Sequence, residues 1–137
     1  MTELAGKTIL LVDDDAEVRQ SIEAALEPLG ADLLTADNGN AAVELALEKS
    51  PDLVILDMML PKRSGFLVME KIKRGKKKGE KPLVVMITAN TGHRHKTYAQ
   101  SLGVDEYLLK PFHMDRLVAV VRRLFGGEED AAAEQSS

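Results

Sequence analysis

The chain has 137 residues, no cysteine and a net charge of −4 at pH 7. This length predicts one domain with a buried core, and 45% hydrophobic with 29% charged residues is the composition of a globular protein. The absence of cysteine excludes disulfides and thiolate metal sites, and the acidic net charge disfavours direct binding of nucleic acid.

The ends of the chain carry no targeting or membrane signal. Glu3 argues against a signal peptide, and no apolar run approaches the ~20 residues that cross a bilayer. We therefore expect a cytoplasmic protein without membrane insertion. Residues 1–6 are predicted to be an N-terminal extension, residues 7–125 the domain, and residues 126–137 a disordered acidic tail or the start of a linker.

Five short apolar runs predict five β-strands, at residues 8–12, 32–36, 53–56, 83–87 and 107–109. Most of these runs are continuous rather than alternating, which is typical of strands covered on both faces. A segment with helical spacing follows each run. The first ends at Gly30, the second precedes Pro51, the third contains Phe66, Met69 and Ile72, and the last two span residues 93–102 and 113–125.

The alternation of strand and helix predicts an α/β fold, in which a parallel sheet is covered by helices on both faces. The functional site of such a sheet lies outside the carboxyl ends of its strands. Polar residues stand at four of those ends: Asp13, Asp14 and Asp15 after the first strand, Asp57 after the third, Thr88 after the fourth and Lys110 after the fifth.

Three of these carboxylates, on Asp13, Asp14 and Asp57, would repel one another if they were uncompensated. A divalent cation together with the ammonium group of Lys110 balances their charge. Mg²⁺ is suited to the site because it prefers hard oxygen ligands and few protein carboxylates. With phosphoryl oxygens neutralised in this way, one carboxylate can attack phosphorus to form an aspartyl phosphate, and Thr88 can donate a hydrogen bond to a phosphoryl oxygen.

The segments LLVDDD, PDLVILDMMLP…SG, VVMITA and DEYLLKPF resemble the receiver domains of response regulators in bacterial two-component signalling. The resemblance covers roughly residues 7–125 and keeps the order and spacing of the motifs. It implies a flavodoxin-like (βα)5 doubly wound fold, with a five-stranded parallel sheet of order 2-1-3-4-5. It also implies a phosphoacceptor that catalyses its own phosphorylation and dephosphorylation rather than a conventional enzyme.

The resemblance assigns a role to each site residue. Asp57 is the phosphoacceptor, and Thr88 and Lys110 contact the phosphoryl group. The implied ligands of Mg²⁺, or of Mn²⁺, are Asp13, Asp14, Asp57 and the backbone carbonyl of Met59. Tyr107 is the switch aromatic that responds to Thr88, and the peptide bond between Lys110 and Pro111 is cis.

The implied partners are proteins. A sensor histidine kinase, a histidine phosphotransfer protein or a small phosphodonor would supply the phosphoryl group. The output would be a downstream target, or a homodimer formed on activation, bound through the fourth helix, the fifth strand and the fifth helix. That face would include His95, Tyr107 and Arg116 or their neighbours.

The lifetime of the phosphoryl group depends on the residues that flank the path of the hydrolytic water. We expect these to be Met59 and Asn90, with the small Ala89 leaving the path of the donor open. Met59 is bulky and apolar and cannot orient a water, and the amide of Asn90 is a poor general base. The sequence therefore predicts slow hydrolysis.

Two other classes of function stay open. A haloacid-dehalogenase-type phosphatase would use the D-x-D within the acidic run, with Thr88 and Lys110 in that family's later roles. Against it, Glu17 stands where that family has Thr or Val, only Asp115 follows as an acid later in the domain, and Asp57 has no role. The other class is an interaction module that works without phosphorylation. A nucleotide-binding domain is disfavoured because no glycine-rich phosphate motif follows the first strand.

Several residues have a simpler structural interpretation. Asp15 is expected to cap the first helix, and His93 and His95 do not face each other on a helix as metal ligands would. The methionines Met58, Met69 and Met86 are expected to fill the core. The lysine-rich run of residues 71–81 is predicted to be a solvated helix end and loop, with a docking patch for an acidic partner as the alternative.

Overall fold

A computed structural model describes residues 3–60, 64–89 and 93–126, apart from the side chains of residues 93–95. The predicted tail therefore lies outside the described residues from 127 onward. The strands are β1 (Thr8–Val12), β2 (Asp32–Ala36), β3 (Leu53–Asp57), β4 (Leu83–Thr88) and β5 (Glu106–Leu109). The helices are α1 (Ala16–Leu26), α2 (Gly39–Lys49), α3 (Gly65–Ile72), α4 (His93–Ser101) and α5 (Met114–Gly126).

The five strands form one parallel sheet with the order β2-β1-β3-β4-β5, which confirms the predicted flavodoxin-like architecture. Residues pair across the sheet in a regular register, for example Leu10 with Val54 and Val54 with Val84. Asp57 and Thr88, predicted to follow their strands, are the last residues of β3 and β4. Because all strands run in the same direction, their carboxyl ends meet at one edge of the sheet.

The core consists of two apolar layers, one on each face of the sheet. Alternate strand residues point to opposite faces, and nearly all are buried because helices cover both sides. One layer joins β-strand side chains to α2 and α3, and it contains the predicted core methionines Met58, Met69 and Met86. The other layer packs against α1 and α5, and it includes Leu4, whose N–H donates to the carbonyl of Leu29 at 2.8 Å.

Side-chain caps define where three helices begin. Asp15 accepts hydrogen bonds from the N–H groups of Glu17 and Val18, which confirms its expected role at the start of α1. Asn38 and Ser64 cap α2 and α3 in the same way. Asp15 thus marks the end of the loop that carries Asp13 and Asp14.

The prediction of a solvated run at residues 71–81 is wrong for Lys73. The side chains of Lys73 and Asp105 are 0% and 2% exposed and form an ion pair of 3.1 Å. Lys73 Nζ also donates to the carbonyls of Glu80 and of Pro82, the latter at 2.9 Å. The Asp105 carboxylate accepts the N–H of Val84 at 2.7 Å.

We call the set Lys73, Glu80, Pro82 and Asp105 the Lys73 clasp. It joins the end of α3 to the starts of β4 and β5, at the edge of the sheet opposite Asp57. An ammonium group on a flexible stem can be buried here because three acceptors satisfy it. The other lysines of the run are exposed.

Candidate functional site

The carboxyl edge of the sheet brings together the side chains predicted to carry the chemistry. Asp13 follows β1, Asp57 ends β3, Thr88 ends β4 and Lys110 follows β5. Asp13, Asp57 and Thr88 are buried, and Lys110 is half-buried, while Asp14 faces solvent. The site therefore lies in a shallow depression with one exposed acid.

A network of hydrogen bonds holds the two buried carboxylates. Lys110 Nζ donates to Oδ2 of Asp13 and to Oδ2 of Asp57, each at 3.1 Å. The remaining oxygens accept backbone N–H groups, Asp13 Oδ1 from Asp15 and Asp57 Oδ1 from Met59, each at 2.9 Å. Both carboxylates are thus held in place by charge-assisted hydrogen bonds.

The pKa values at the site reflect burial and crowded charge. Burial, with the nearby charge of Asp13, raises the pKa of Asp57 above its ordinary value despite the hydrogen bonds from Met59 and Lys110. Burial alone would lower the pKa of Lys110, but its hydrogen bonds to Asp57 and Asp13 and their negative charges outweigh burial and raise it. Lys110 is therefore held as a cation, and the site has more negative than positive charge.

The acidic residues fit a divalent cation. Carboxylate oxygens of Asp13, Asp14 and Asp57 all lie within 4.8 Å of one another. Octahedral Mg²⁺ has ligands at about 2.1 Å, and so its ligand oxygens are about 3 to 4.2 Å apart. The observed spacing is close to that range, and the ligands are the hard oxygens that Mg²⁺ prefers.

Thr88 and Tyr107 lie on neighbouring strands close to this edge. Thr88 is fully buried and pairs with Leu109 in the register of β4 and β5, while Tyr107 pairs with Met86. The Tyr107 ring packs against the α2 and α3 layer. Its hydroxyl is buried without a hydrogen-bond partner among the described residues, and burial raises the pKa of Tyr107. The ring thus already points inward.

Gly65 is part of the site, although it was expected only as the second residue of the SG pair in a motif. Its N–H donates to the carbonyl of Met58 at 2.9 Å. A Cβ at this position would lie 2.6 Å from the Asp57 carbonyl oxygen and 2.6 Å from Met58 Cα. Only glycine lets α3 begin this close to the backbone of the acceptor residue.

Of the remaining predicted positions, some stay predictions, some lie outside the described residues and one is confirmed. The Met59 side chain is 63% exposed, and the role of its carbonyl as a metal ligand stays a prediction. Asn90 and the side chains of His93 and His95 lie outside the described residues. The peptide bond before Pro111 is cis, as the resemblance implies, and so is the unexpected one before Pro82.

A cleft of about 510 Å³ opens beside the acceptor site. It lies between the start of α1 and the loop before α5, and Ala89 and Lys110 are among the residues that line it. Val18, Phe112 and Met114 give it apolar walls. A partner can therefore approach the carboxyl edge along a surface that is partly apolar.

The fold and the acidic site together define a signalling receiver. A family model described as the response regulator receiver domain matches residues 9–122, and the chain belongs to that family. None of the described helices is long and apolar enough to cross a membrane.

Two curated relatives are longer than this chain. The phosphate regulon transcriptional regulatory protein PhoB of Pseudomonas aeruginosa is 38% identical over 135 residues, covering 96% of this chain and 58% of PhoB. The DNA-binding dual master transcriptional regulator RpaA of Synechocystis is 37% identical over 116 residues, covering 85% of this chain and 48% of RpaA. The chain thus spans about half the length of these relatives.

Among solved structures, the receiver domain of the sensor histidine kinase PA1611 from Pseudomonas aeruginosa PAO1 superimposes with a TM-score of 0.76. The two chains are 29% identical, and the match covers 90% of this chain and 100% of the other. That structure has a magnesium ion coordinated in its active-site cleft.

Proposed function

We propose that this chain is a phosphoacceptor response regulator that accepts a phosphoryl group on Asp57. The observation that carries the proposal is the environment of the Asp57 carboxylate. It is buried at the carboxyl edge of the sheet, is held by Met59 N–H and Lys110 Nζ, and lies beside the carboxylates of Asp13 and Asp14. Asp13 is held in a similar way, by the N–H of Asp15 and by Lys110, and the motif around residue 57 is what favours Asp57 over Asp13 as the acceptor.

The proposed reaction transfers a phosphoryl group to a carboxylate oxygen of Asp57. A new P–O bond forms as the P–N bond of a phosphohistidine breaks, and the electron pair of that bond stays on the histidine nitrogen. With a small donor such as acetyl phosphate, a P–O bond breaks instead and acetate leaves. Lys110 is positioned to neutralise a phosphoryl oxygen, and the hydroxyl of Thr88 would donate to another.

Asp13, Asp14 and Asp57 would hold Mg²⁺, or Mn²⁺ in its place, with the Met59 carbonyl as a further ligand. When bound, the ion neutralises charge on the phosphoryl oxygens. The magnesium ion in the PA1611 receiver domain supports this part of the proposal. The spacing of the three carboxylates supports it independently.

The proposed donor is a sensor histidine kinase or a histidine phosphotransfer protein in the cytoplasm. The cleft between α1 and the loop before α5 supports a protein donor, because apolar residues line it together with Lys110, which contacts Asp57. We propose that residues 3–126 do not bind nucleic acid directly. The names of PhoB and RpaA describe transcriptional regulators, and this chain spans about half of each.

The proposed output is a change at the face formed by α4, β5 and α5. The phosphoryl group would draw the Thr88 hydroxyl toward Asp57. Tyr107 already points inward, and so phosphorylation would stabilise this position rather than create it. The altered face would bind a downstream protein or a second copy of the chain.

Incubation with Mg²⁺ and acetyl phosphate tests the acceptor. We expect the intact mass to rise by one phosphoryl group, with the label on Asp57 and none after the substitution Asp57→Asn. Label on Asp13 instead would support the phosphatase alternative. Mg²⁺ binding without any labelling would support the interaction module. Labelling of Asp57→Asn equal to that of the parent would refute the assignment.

Amide chemical shifts test the output. We expect acetyl phosphate to change the shifts of Tyr107 and of its neighbours on α4 and α5, and Asp57→Asn is the control that removes these changes. Shifts confined to the surroundings of Asp57 would refute the proposed switch, while leaving Asp57 as the acceptor.

A further inference from the structure

A second cavity, of about 910 Å³, lies at the edge of the sheet opposite Asp57. Its walls come from the beginnings of strands rather than their ends, with Leu83 and Glu106 as the first residues of β4 and β5. The last turn of α5, through Leu124 and Phe125, forms another wall. The proposed phosphoryl chemistry makes no use of this cavity.

The cavity carries an excess of positive charge on an acidic protein. Its two acids are already paired, Asp105 with Lys73 and Glu106 with Arg123. Four lysines also line it, namely Lys7, Lys78, Lys81 and Lys96, and Lys81 is paired with Asp52. Within residues 3–60, 64–89 and 93–126, none of the other three lysines forms an ion pair with a carboxylate.

The geometry favours an occupant that combines carboxylates with small apolar groups. Lys7 Nζ lies 5.9 Å from the centre of the Phe125 ring, so that cationic and apolar surfaces are side by side. The neighbouring lysines Lys78 and Lys96 are exposed and able to approach an anion. An acidic peptide segment meets both requirements.

The sequence supplies such a segment immediately beyond the cavity wall. Residues 128–134 read EEDAAAE, and residues 127–137 contain no lysine or arginine. Only Gly126 and Gly127 separate this segment from Phe125. At about 3.3 to 3.6 Å per residue, a few residues suffice to reach across the cavity, and the tether makes the local concentration high.

We propose that the acidic segment of residues 128–134 docks in this basic cavity of its own chain. The carboxylates of Glu128, Glu129 and Asp130 would pair with Lys7, Lys78 and Lys96. Because Tyr107 also lines the cavity, the docked segment would border the face formed by α4, β5 and α5. Docking does not require phosphorylation, and so this proposal stands or fails separately from the acceptor assignment.

Paramagnetic broadening tests the docking, because a chain without cysteine accepts a single spin label at one engineered position. In the full chain carrying Ala132→Cys and a nitroxide, we expect broadening of the amides of Lys78, Gly79 and Gln100 at low salt. The broadening should weaken severalfold at about 1 M salt, where the Debye length is about 3 Å. The amides around Asp57 should stay sharp.

Charge reversal gives the matched comparison. Lys78→Glu with Lys96→Glu should remove the broadening, and adding Glu128→Lys with Glu129→Lys should restore it. The control is Lys49→Glu with Lys71→Glu, which makes the same charge change on exposed residues outside the cavity. A further variant, Glu128→Gln with Glu129→Gln and Asp130→Asn, leaves residues 3–126 unchanged and should also lose the broadening.

Three results would overturn the proposal. One is the absence of broadening near the cavity in the parent at low salt. Another is equal broadening in the parent and in the cavity variant. The third is broadening that appears only when spin-labelled chains are mixed with isotope-labelled chains lacking the label, because the cavity would then bind the segment of a second copy.

Discussion

Gly65 sets how closely α3 approaches the acceptor, because its missing side chain leaves room for the Asp57 carbonyl oxygen and for Met58 Cα. Both atoms belong to the backbone and cannot rotate away from an added methyl group. Glycine is thus required at position 65, directly after the Ser64 cap, by packing and not by backbone conformation.

The substitution Gly65→Ala should lower the free energy of unfolding by about 1–3 kcal/mol, as overpacking does. It should also slow phosphorylation by acetyl phosphate by about tenfold or more, because the strain displaces the backbone of Asp57. Urea unfolding and a labelling time course measure the two effects. Gly75→Ala is the control: a Cβ there meets no atom within 4 Å, and any cost comes from its positive φ. Equal labelling rates in the two variants would contradict the role given to Gly65.

The exposed side chain of Met59 is predicted to cover the approach of the hydrolytic water and so to lengthen the lifetime of the phosphoryl group. We expect Met59→Asn to shorten the half-life of the aspartyl phosphate at saturating Mg²⁺, because an amide can orient a water that a thioether cannot. Intact mass after removal of the donor measures the half-life. Leu67→Asn, which replaces another exposed apolar residue, is the control. An unchanged or longer half-life in Met59→Asn means that the side chain does not govern hydrolysis.

The positions of the main site residues follow from the sequence because each stands at a strand end, and parallel strands end together. That reasoning predicted the meeting of Asp13, Asp57 and Lys110, which the contacts at 3.1 Å bear out. It could not predict the partners of Lys73, because Asp105 is 32 residues away and lysine-rich runs are usually solvated. An ion pair between charged residues that are far apart in the sequence depends on how the helices and strands pack, which the local sequence pattern does not indicate.

Among the elements, α1 shows how a single residue both ends a functional loop and begins a helix. Asp15 follows the acids Asp13 and Asp14, but its carboxylate accepts the N–H of Glu17 at 2.9 Å. The acidic run is thus divided between the metal site and the helix cap.

Asp15→Ala should therefore lower the free energy of unfolding by about 0.5–2 kcal/mol, as expected when a helix loses its cap. Asp15→Ser keeps a side-chain acceptor and should stay within a few tenths of a kcal/mol of the parent. Urea denaturation of the three proteins measures this. A loss in Asp15→Ser equal to that in Asp15→Ala would indicate that charge, and not capping, is what matters.

The strands were predictable to within about a residue because continuous apolar runs are short and end sharply. The bounds of α4 were also predicted to within a residue, but its packing was not, because its sequence is polar and Ala99 is its only buried residue among those described. Tyr98 holds it through an edge-on contact with Phe66 at 4.9 Å and a hydrogen bond to Glu70 at 2.6 Å. That hydrogen bond raises the pKa of Tyr98. No local pattern indicates such contacts between helices.

For the whole molecule, the Lys73 clasp is the main buried polar link at the edge opposite Asp57. Removing one partner of a buried ion pair leaves an uncompensated charge, and the usual loss is about 3–5 kcal/mol. We expect Lys73→Met to lose that much stability in urea denaturation. Lys71→Met changes an exposed neighbour on α3 and should stay within about 0.5 kcal/mol of the parent. Similar curves for the two variants would show that the clasp contributes little.

The clasp also implies that the two edges of the sheet exchange their amide hydrogens on different timescales. The Val84 N–H is enclosed by the Asp105 carboxylate, and its hydrogen should leave only when the whole domain unfolds. At the other edge, the N–H of the exposed residue Met59 donates to the Asp57 carboxylate. Its hydrogen should exchange through small local openings. Deuterium uptake along β3 and β4 should therefore rise toward their carboxyl ends. The molecule would remain rigid at one edge while the other is loose enough to accommodate a covalent modification.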